Sequence, residues 1–289
     1  MILVTGATGQ IGSRLLLELE TARVKFRALV RSAGKAEGVR ATGGEAVVGD
    51  FADPTALGAA LRGATKLFLL TSPGPDLPSI EAGIVDEAKR AGVSHVVKLS
   101  AVGAGALAPI TLGRIHRESE RHIEASRLAH TFLRPSYFMQ NYLGFAESVK
   151  RSGTIHAPAG SGRHPDIDVR DIAAIAARVL TEDGHEGRAY ELTGPEAQSL
   201  VDGARTIAKI TGRDVRFVDV APADARRVMV SAGVSEWMAD ALVELYAWYL
   251  RGEGTTNGSA VTLAVQEVLD RPPRSFDQFV REHVKAFGG

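Results

Sequence analysis

The sequence predicts an α/β protein whose main domain is a doubly wound parallel sheet, followed by a smaller α/β lobe in the C-terminal part. Short apolar runs alternate with helix-period segments from the first residue onwards, which is typical of β-α-β units. The apolar runs are continuous, as expected for parallel strands that helices bury on both faces. A glycine-rich turn directly follows the first run, at the position where such units approach a ligand.

The first half of the chain contains a regular series of predicted strands and helices. The strands are "ILVT", "VKFRALV", "EAVVG", "TKLFLL", "HVVKLS" and "HTFLR". The helix after the first strand is amphipathic, and its apolar face consists of Ile11, Leu15, Leu16 and Leu19. Further helices are predicted over residues 54–61, 80–91 and 113–127.

The pattern loosens after about residue 150. The stretch "RSGTIHAPAGSGRHPDIDV" is rich in Gly, Pro and Ser, which is typical of a loop near a ligand. Periodicity then resumes as the helix "DIAAIAARVL", the strand "RAYELTG", the helix "LVDGARTIAKITG", the strand "DVRFVDV", and helices over 237–250 and 275–287. We therefore expect a cofactor-binding domain over residues 1–150 and a smaller substrate lobe over 151–289, with some elements of the lobe returning to the main domain.

Composition and charge favour a small-molecule ligand. Lys plus Arg and Asp plus Glu number 34 each, so no global field attracts nucleic acid or an anionic membrane. The chain has no cysteine, which excludes disulfides and thiolate chemistry and favours a cytoplasmic address. No apolar run has the length of a membrane span. The histidines are scattered, and we expect no metal site.

The turn "TGATGQIG" places glycines at positions 6, 9 and 12, between the first strand and the first helix. Gly6 permits a tight turn, Gly9 allows backbone N–H groups to approach a pyrophosphate, and Gly12 lets the helix pack close to the strand. The helix N-terminus adds a partial positive charge. A turn without a ligand is the alternative, but the strand-to-helix context favours the Rossmann type of dinucleotide site.

Several motifs in the chain together resemble one family. The stretches "VTGATGQIG", "GDFADPTAL", "VVKLSAVG", "HTFLRPSYFMQN" and "DVRDIA" occur in this order along the sequence. The chain resembles the NmrA-like group of atypical short-chain dehydrogenases over nearly its whole length. That group includes quinone, triphenylmethane-dye and azo-dye reductases as well as redox-sensing regulators.

The end of the second strand predicts NADP as the cofactor. Arg31 stands where an NAD-specific site would have an acidic residue, and a guanidinium can bind the 2′-phosphate, with Lys35 close enough to assist. Asp50 follows the third strand and is a candidate for the adenine amino group, or alternatively a turn residue, while Asp53 is the better helix cap. The other expected cofactor contacts are Thr8, Gln10, Ile11, Phe51, Thr71, Ser72, His116, Tyr137 and Phe138.

The resemblance also predicts a catalytic set that this chain lacks in part. Typical short-chain dehydrogenases carry a Ser after strand five and a Tyr-x-x-x-Lys at the start of the next helix. Ser100 is present, but "LGRIH" has Leu112 and His116 in place of the Tyr and the Lys. The standard proton donor is therefore missing. His116 is a candidate to bind the cofactor ribose or donate a proton, and the alternative is a helix-surface histidine facing Glu120.

Residues after the sixth strand are predicted to form the substrate side of the site. Tyr137 and Phe138 lie at the carboxyl edge of the sheet, where open α/β sheets bind ligands, with core packing as the alternative. We expect Met139, Gln140 and Asn141 to complete this wall, opposite a loop over residues 160–165. Tyr137 is also a candidate acid.

The leading hypothesis is an NADPH-dependent reductase that transfers hydride to a quinone-like or conjugated electrophile, because a stabilised product needs no strong acid. A module that senses NADP(H) for a protein partner is the first alternative. A carbonyl or imine reductase that uses His116 or Tyr137 as the acid is the second. A homodimer is compatible with each of these hypotheses.

Overall fold

Residues 1–105, 107, 109–251 and 260–289 are described by the structure, which is a computed structural model. The strands are β1 (Ile2–Val4), β2 (Phe26–Val30), β3 (Glu45–Val48), β4 (Lys66–Leu69), β5 (His95–Leu99), β6 (Ala129–Pro135), β7 (Thr154–Ala157), β8 (Arg163–His164), β9 (Arg188–Leu192), β10 (Gln198–Ser199) and β11 (Arg216–Asp219). The α-helices are α1 (Gln10–Thr21), α2 (Ala33–Ala41), α3 (Pro54–Leu61), α4 (Leu77–Arg90), α5 (Thr111–Ser126), α6 (Ala146–Ser152), α7 (Val169–Thr181), α8 (Leu200–Thr211), α9 (Pro222–Ser231), α10 (Glu236–Arg251), α11 (Ala264–Leu269) and α12 (Phe276–Glu282).

A parallel sheet of seven strands forms the centre, in the order β3-β2-β1-β4-β5-β6-β9. The chain runs outwards from β1 to β3 and then returns to the other side of β1 with β4. The strand order therefore reverses between β1 and β4, and the crevice outside the carboxyl ends of these strands is where a doubly wound sheet binds its ligand. This sheet confirms the predicted fold class.

Successive residues of the central strands point to opposite faces of the sheet, and each face has its own apolar core. On one face, Val4, Phe68 and Val97 pack with residues of α1, α2, α7 and α11. On the other face, Leu67 and Val96 pack with residues of α3, α4 and α5. Both faces are covered, which explains the continuously apolar strands of the sequence.

A third apolar core lies in the C-terminal part and contains residues of α8, α10 and α12 around the buried Tyr142. Two small sheets, the parallel pair β7 and β11 and the antiparallel pair β8 and β10, accompany it. Two later elements belong to the main sheet instead, since β9 pairs with β6 and α7 packs on α1. Among the described residues, no helix has both the length and the apolar character needed to cross a bilayer.

Most predicted elements appear with small shifts at their ends. The helix predicted over 80–91 starts earlier, at Leu77, with a proline in its first turn. The single helix predicted over 275–287 is instead α12 followed by the 3₁₀ helix Val284–Phe287. A second 3₁₀ helix, Met139–Phe145, begins four residues after the end of β6.

The contact between α8 and Tyr142 supports a stability prediction. A Cβ at Gly203 would meet the fully buried Tyr142 ring at 2.5 Å, so an added methyl group overpacks the core. We expect Gly203→Ala to destabilise the protein by about 1–3 kcal/mol, although Gly→Ala in an open helix stabilises by roughly 0.5–1 kcal/mol. Urea unfolding followed by circular dichroism measures whether each substitution raises or lowers the free energy of unfolding. Gly83→Ala in α4, where a Cβ meets nothing within 4 Å, is the matched control, and equal effects of the two changes would contradict the packing argument.

Candidate active site

A cavity of about 960 Å³ opens at the carboxyl ends of β1, β2, β4, β5 and β6. It runs from the glycine turn across the middle of the sheet to α10. This volume lies at the upper end of the range for ligand pockets. A site that holds both a dinucleotide and a small acceptor needs such a volume. The strand reversal between β1 and β4 falls within it, as the fold class predicts.

The turn after β1 is built so that α1 begins immediately. Gly6 has a φ of +63°, a left-handed conformation that favours glycine. Thr5 is fully buried and anchors the turn, because its hydroxyl lies 3.1 Å from the Phe68 carbonyl oxygen and accepts the Leu70 N–H at 2.8 Å. A Cβ at Gly12 would lie only 2.2 Å from the Gly6 carbonyl oxygen, so helix and turn are in direct backbone contact.

The N-terminus of α1 has the features of an anion site. Its cap residue Gly9 contributes no side-chain hydrogen bond, and the first turn contains no acidic residue. The first N–H groups of a helix have no intrahelical partner, so those of the first turn remain for a ligand. The lining of the cavity at this end is formed by Gly6, Thr8, Gly9, Gln10 and Ile11. These residues fit a pyrophosphate, whereas Gly12 lies outside the lining and acts through packing.

The ends of β2 and β3 bring charged side chains to the same end of the cavity. Arg31 and Lys35 are exposed and line it, and neither forms an ion pair with any residue that the structure describes. Asp50 and Phe51 line it as well. The Asp50 carboxylate accepts the Ala52 N–H at 3.1 Å, so this residue also forms the turn that the alternative interpretation expected.

Asp53 caps α3 through the Thr55 N–H at 2.9 Å. It is therefore the helix cap that the sequence favoured over Asp50. One Asp50 carboxylate oxygen is thereby left without a turn contact.

His116 occupies the floor of the cavity, one turn after Leu112 in α5. The histidine is buried, and its Nδ1 lies 3.3 Å from Nζ of Lys98. Burial and the adjacent Lys98 charge hold the pKa of His116 well below its usual value. The alternative of a surface histidine facing Glu120 is therefore wrong, since Glu120 is engaged elsewhere.

Ser100 lies beside this floor, and its hydroxyl is already committed. Ser100 donates to Oε1 of Glu120 at 2.7 Å. The buried Glu120 carboxylate also binds Arg134 through two hydrogen bonds at 2.9 and 2.7 Å, and Arg117 at 3.2 Å. The Ser100 proton is thus directed at Glu120, and the lone pairs of its oxygen remain to accept a hydrogen bond.

The largest omission of the sequence analysis is the pair of Lys98 and Glu81. Lys98 is the penultimate residue of β5 with its side chain 0% exposed, and its ammonium binds the Glu81 carboxylate. Glu81 also accepts from Ser119 and from Thr71, the latter at 2.8 Å. Thr71 and Ser72 line the cavity above this pair. The available signal was a lysine inside the otherwise apolar run "HVVKLS".

Tyr137, Phe138 and Asn141 form one side wall, while two further predictions about this wall are wrong. Met139 is 1% exposed and belongs to the C-terminal core, because the 3₁₀ helix turns it inward. Gln140 points away and accepts the first N–H of α7 at 3.1 Å.

The opposite wall comes from α10 and not from residues 160–165. Its side chains are those of Met238, Leu242, Leu245 and Tyr249. Part of the 160–165 segment pairs with β10 through β8, which directs it away from the cavity.

Tyr137 is held by other aromatic groups. Its hydroxyl is 2.9 Å from that of Tyr246, and its ring lies 4.5 Å from the ring of His164. Burial and the nearby Tyr246 raise the pKa of Tyr137 well above its usual value. The phenol is consequently a weaker acid than in water.

Known proteins of the same architecture bind nicotinamide cofactors. The chain is 40% identical to an NAD(P)H azoreductase from Xenophilus azovorans, over 100% of this chain and 99% of that protein. It matches an NADPH-dependent quinone oxidoreductase from Escherichia coli, solved with NADPH, with a TM-score of 0.86 and 29% identity over 100% of both chains. A Citrobacter sp. triphenylmethane reductase, solved with NADP(H), matches with a TM-score of 0.84 and 28% identity over 97% of this chain and 99% of that one.

Residues 6–183 match the NAD(P)H-binding family. The matched segment starts in the glycine turn and includes Arg31, Ser100 and His116 before it ends just after α7. More than half of the chain is therefore covered, together with the part of the cavity next to the sheet. The chain belongs to the NAD(P)H-binding family, as its resemblance to the NmrA-like atypical short-chain dehydrogenases predicts.

Proposed function

We propose that this protein is an NADPH-dependent reductase that transfers hydride to an uncharged quinone-like or otherwise conjugated small molecule. The observation that carries the proposal is the composition of the cavity. One end has the glycine turn with Arg31 and Lys35, while the floor at the other end has Leu112 and a neutral His116 where a phenol and an ammonium are usual. The cofactor end is thus complete, and the standard acid is absent.

The residues of the cavity are assigned to the parts of the cofactor by their chemistry. The first turn of α1 binds the pyrophosphate, and Arg31 with Lys35 binds the 2′-phosphate. Asp50 and Phe51 contact the adenine. Thr71 and Ser72 lie beside the part of the cofactor that links its two nucleotide halves. When bound, NADPH supplies a hydride, which carries two electrons and one hydrogen.

The acceptor end is largely apolar and, among the described residues that line it, carries no charged side chain. The lining contains the charged side chains Arg31, Lys35 and Asp50, and all three follow β2 or β3 at the cofactor end. The acceptor end instead presents Val102, Ile110, Leu112, Phe138, Leu242 and Leu245. A flat acceptor without charge fits this surface, because an ionic group would lose its hydration without gaining a partner.

The acceptor also has to tolerate the missing acid. Hydride addition to a quinone forms one C–H or O–H bond and leaves a resonance-stabilised anion, which takes its proton from water. The protein then contributes by holding donor and acceptor in contact. The raised pKa of Tyr137 and the lowered pKa of His116 weigh against a carbonyl reductase that uses either residue as its acid.

The relatives support this proposal through their reactions. An azoreductase, a quinone oxidoreductase and a triphenylmethane reductase all reduce conjugated molecules. We further propose that residues 1–150 hold the cofactor while residues 151–289 supply the acceptor wall through α10. Elements β9 and α7 of the second part support the main sheet in this scheme.

The function is tested by measuring NADPH oxidation with a panel of uncharged quinones, azo compounds, cationic dyes and simple ketones. We expect turnover with quinones and none with simple ketones.

Gly9→Val is expected to abolish both turnover and calorimetric NADPH binding, because the added methyl groups occupy the space over the helix N-terminus. The extended backbone of Gly9 accepts valine, and its Cβ would approach only the Gly6 carbonyl oxygen, at 3.3 Å. Gly38→Val in α2, which meets nothing within 4 Å, is the control, and ketone turnover or full NADPH binding by Gly9→Val contradicts the proposal.

Arg31 is expected to distinguish NADPH from NADH. A charge-assisted hydrogen bond contributes about 1.5–3 kcal/mol, so Arg31→Ala should weaken NADPH binding about ten- to a hundredfold and NADH binding little. Titration calorimetry with both cofactors measures the difference. Arg40→Ala, which removes the same charge from the last turn of α2 outside the cavity, should change neither affinity. Equal losses for both cofactors in Arg31→Ala would show that Arg31 does not bind the 2′-phosphate.

His116→Ala separates acid-free transfer from acid catalysis. Because burial and Lys98 hold the pKa of His116 well below its usual value, we expect this ring to contribute no limb to the wild-type rate profile between pH 6 and 8. We expect a loss of only a few-fold at saturating NADPH, equal at all these pH values. Loss of a general acid typically costs about a hundred- to ten-thousandfold. A loss of a thousandfold, with a pH limb that disappears in the variant, would replace this mechanism by the acid-catalysed one.

A further inference from the structure

A lysine without any solvent contact lies directly behind the floor of the cavity. Lys98 points from β5 to the face of the sheet that α4 and α5 cover, and its side chain is 0% exposed. An ammonium has three protons and no lone pair, so it only donates. Its acceptors are the Glu81 carboxylate, the Leu99 carbonyl oxygen at 3.3 Å and Nδ1 of His116 at 3.3 Å.

The position of the lysine is set by Glu81 of α4. The Glu81 side chain is 1% exposed, and one of its oxygens binds both Lys98 and Ser119 while the other accepts from Thr71 at 2.8 Å. The carboxylate is thereby satisfied on both sides. A buried ion pair contributes little net stability, since desolvation offsets the attraction. We therefore expect the main effect of the pair to be on the adjacent His116 and not on the stability of the fold.

The contact with Lys98 defines the chemical form of the histidine. Because the ammonium donates, the His116 Nδ1 that faces it carries a lone pair and not a proton. The single proton of the neutral ring is then on Nε2, the nitrogen left for the cavity. A proton on Nδ1 would set two hydrogen-bond donors against each other, and a protonated ring would add a second positive charge beside Lys98, in agreement with the lowered pKa of His116.

The charged groups near this ring lie on β5, α4 and α5. Lys98 of β5 touches the ring, and Glu81 of α4 lies beyond Lys98. Glu120, one turn later in α5, is bound to Ser100, Arg134 and Arg117. Lys98 is thus the one charge that the structure places in contact with the ring among the described residues.

We propose that Lys98, held by Glu81, is a positioning residue that fixes His116 as the neutral Nε2–H tautomer, so that the floor of the cavity presents an uncharged hydrogen-bond donor. The adjacent Ser100 presents an acceptor, because its own proton is donated to Glu120. Together they offer a donor and an acceptor, the pair that a hydroxyl group or a carboxamide of a bound molecule uses. This inference rests on the proposed function only for the identity of that molecule.

The tautomer is measurable on the full chain without cofactor or acceptor. Long-range proton–nitrogen correlation spectra of the ¹⁵N-histidine protein distinguish the two neutral tautomers and the imidazolium, and His116→Gln assigns the signal. We expect the wild type to show the Nε2–H form of His116 throughout pH 5.5–8. An Nδ1–H form, or an imidazolium at pH 6, would overturn the proposal.

A pair of variants tests the role of Lys98. In Lys98→Met and in Lys98→Met/Glu81→Gln, which leaves no unpaired buried charge, we expect a tautomer mixture and an upward shift of the His116 titration midpoint, because the Lys98 charge is lost while the burial remains. The same midpoint should appear as a new limb in the pH profile of kcat/KM. Lys66→Met on the neighbouring strand β4 is the control and should leave the His116 signals unchanged. Unchanged His116 signals in both Lys98 variants would overturn the proposal, and if neither variant folds, the wild-type spectrum decides.

The tautomer spectra and the turnover measurements test the positioning role and the proposed function separately. A fixed Nε2–H tautomer in a protein that reduces no member of the acceptor panel would refute the proposed function alone. Quinone turnover by a protein with a mixed or charged His116 would refute the positioning role alone.

Discussion

Helix α1 is in direct backbone contact with the turn that follows strand β1, and this contact determines the geometry of the whole site. A Cβ at Gly12 would lie 2.2 Å from the Gly6 carbonyl oxygen, so any other residue would push the helix away from the sheet. The close contact lets α1 begin four residues after the Gly6 turn and point its uncapped N-terminus along the crevice. It also brings Leu15 and Leu19 onto the sheet, where α7 packs against them. Cofactor position and main core therefore depend on one backbone contact.

The charged side chains at the reacting end of the cavity lie behind its lining and are paired with one another. Glu120 is neutralised by Arg134 and Arg117, and Glu81 is neutralised by Lys98. What these pairs leave towards the cavity is the lone pairs of Ser100 and the neutral ring of His116. In a low-dielectric pocket an unpaired charge at either position would act strongly on any ligand. The arrangement suits a neutral acceptor and a reaction in which the protein does not change its own protonation state.

The sequence predicts what depends on local patterns and misses what depends on distant partners. The glycine spacing and the apolar strands are local, so the doubly wound sheet and the turn at Gly6 follow from them. Lys98 and Glu81 are 17 residues apart, and only the packing of α4 on β5 brings them together. Composition predicts residues 160–165 as the cavity wall opposite Tyr137, whereas α10 forms that wall because the C-terminal core packs the helix against α5 and β8. Met139 was misplaced for a related reason, since the 3₁₀ turn after β6 has no clear signal in the sequence.

The loss of the Tyr/Lys pair is better described as a relocation of the lysine charge than as a simple deletion. In the typical arrangement an ammonium on the helix lowers the pKa of a phenol that donates a proton. Here the helix carries His116, the phenol is replaced by Leu112, and the nearest ammonium is on strand β5, neutralised by Glu81. An ammonium balanced in this way has little field left to stabilise an anion, but it retains the direction of its hydrogen bond. The site therefore keeps the capacity to orient and gives up the capacity to protonate, which favours neutral acceptors that become stable anions when hydride arrives.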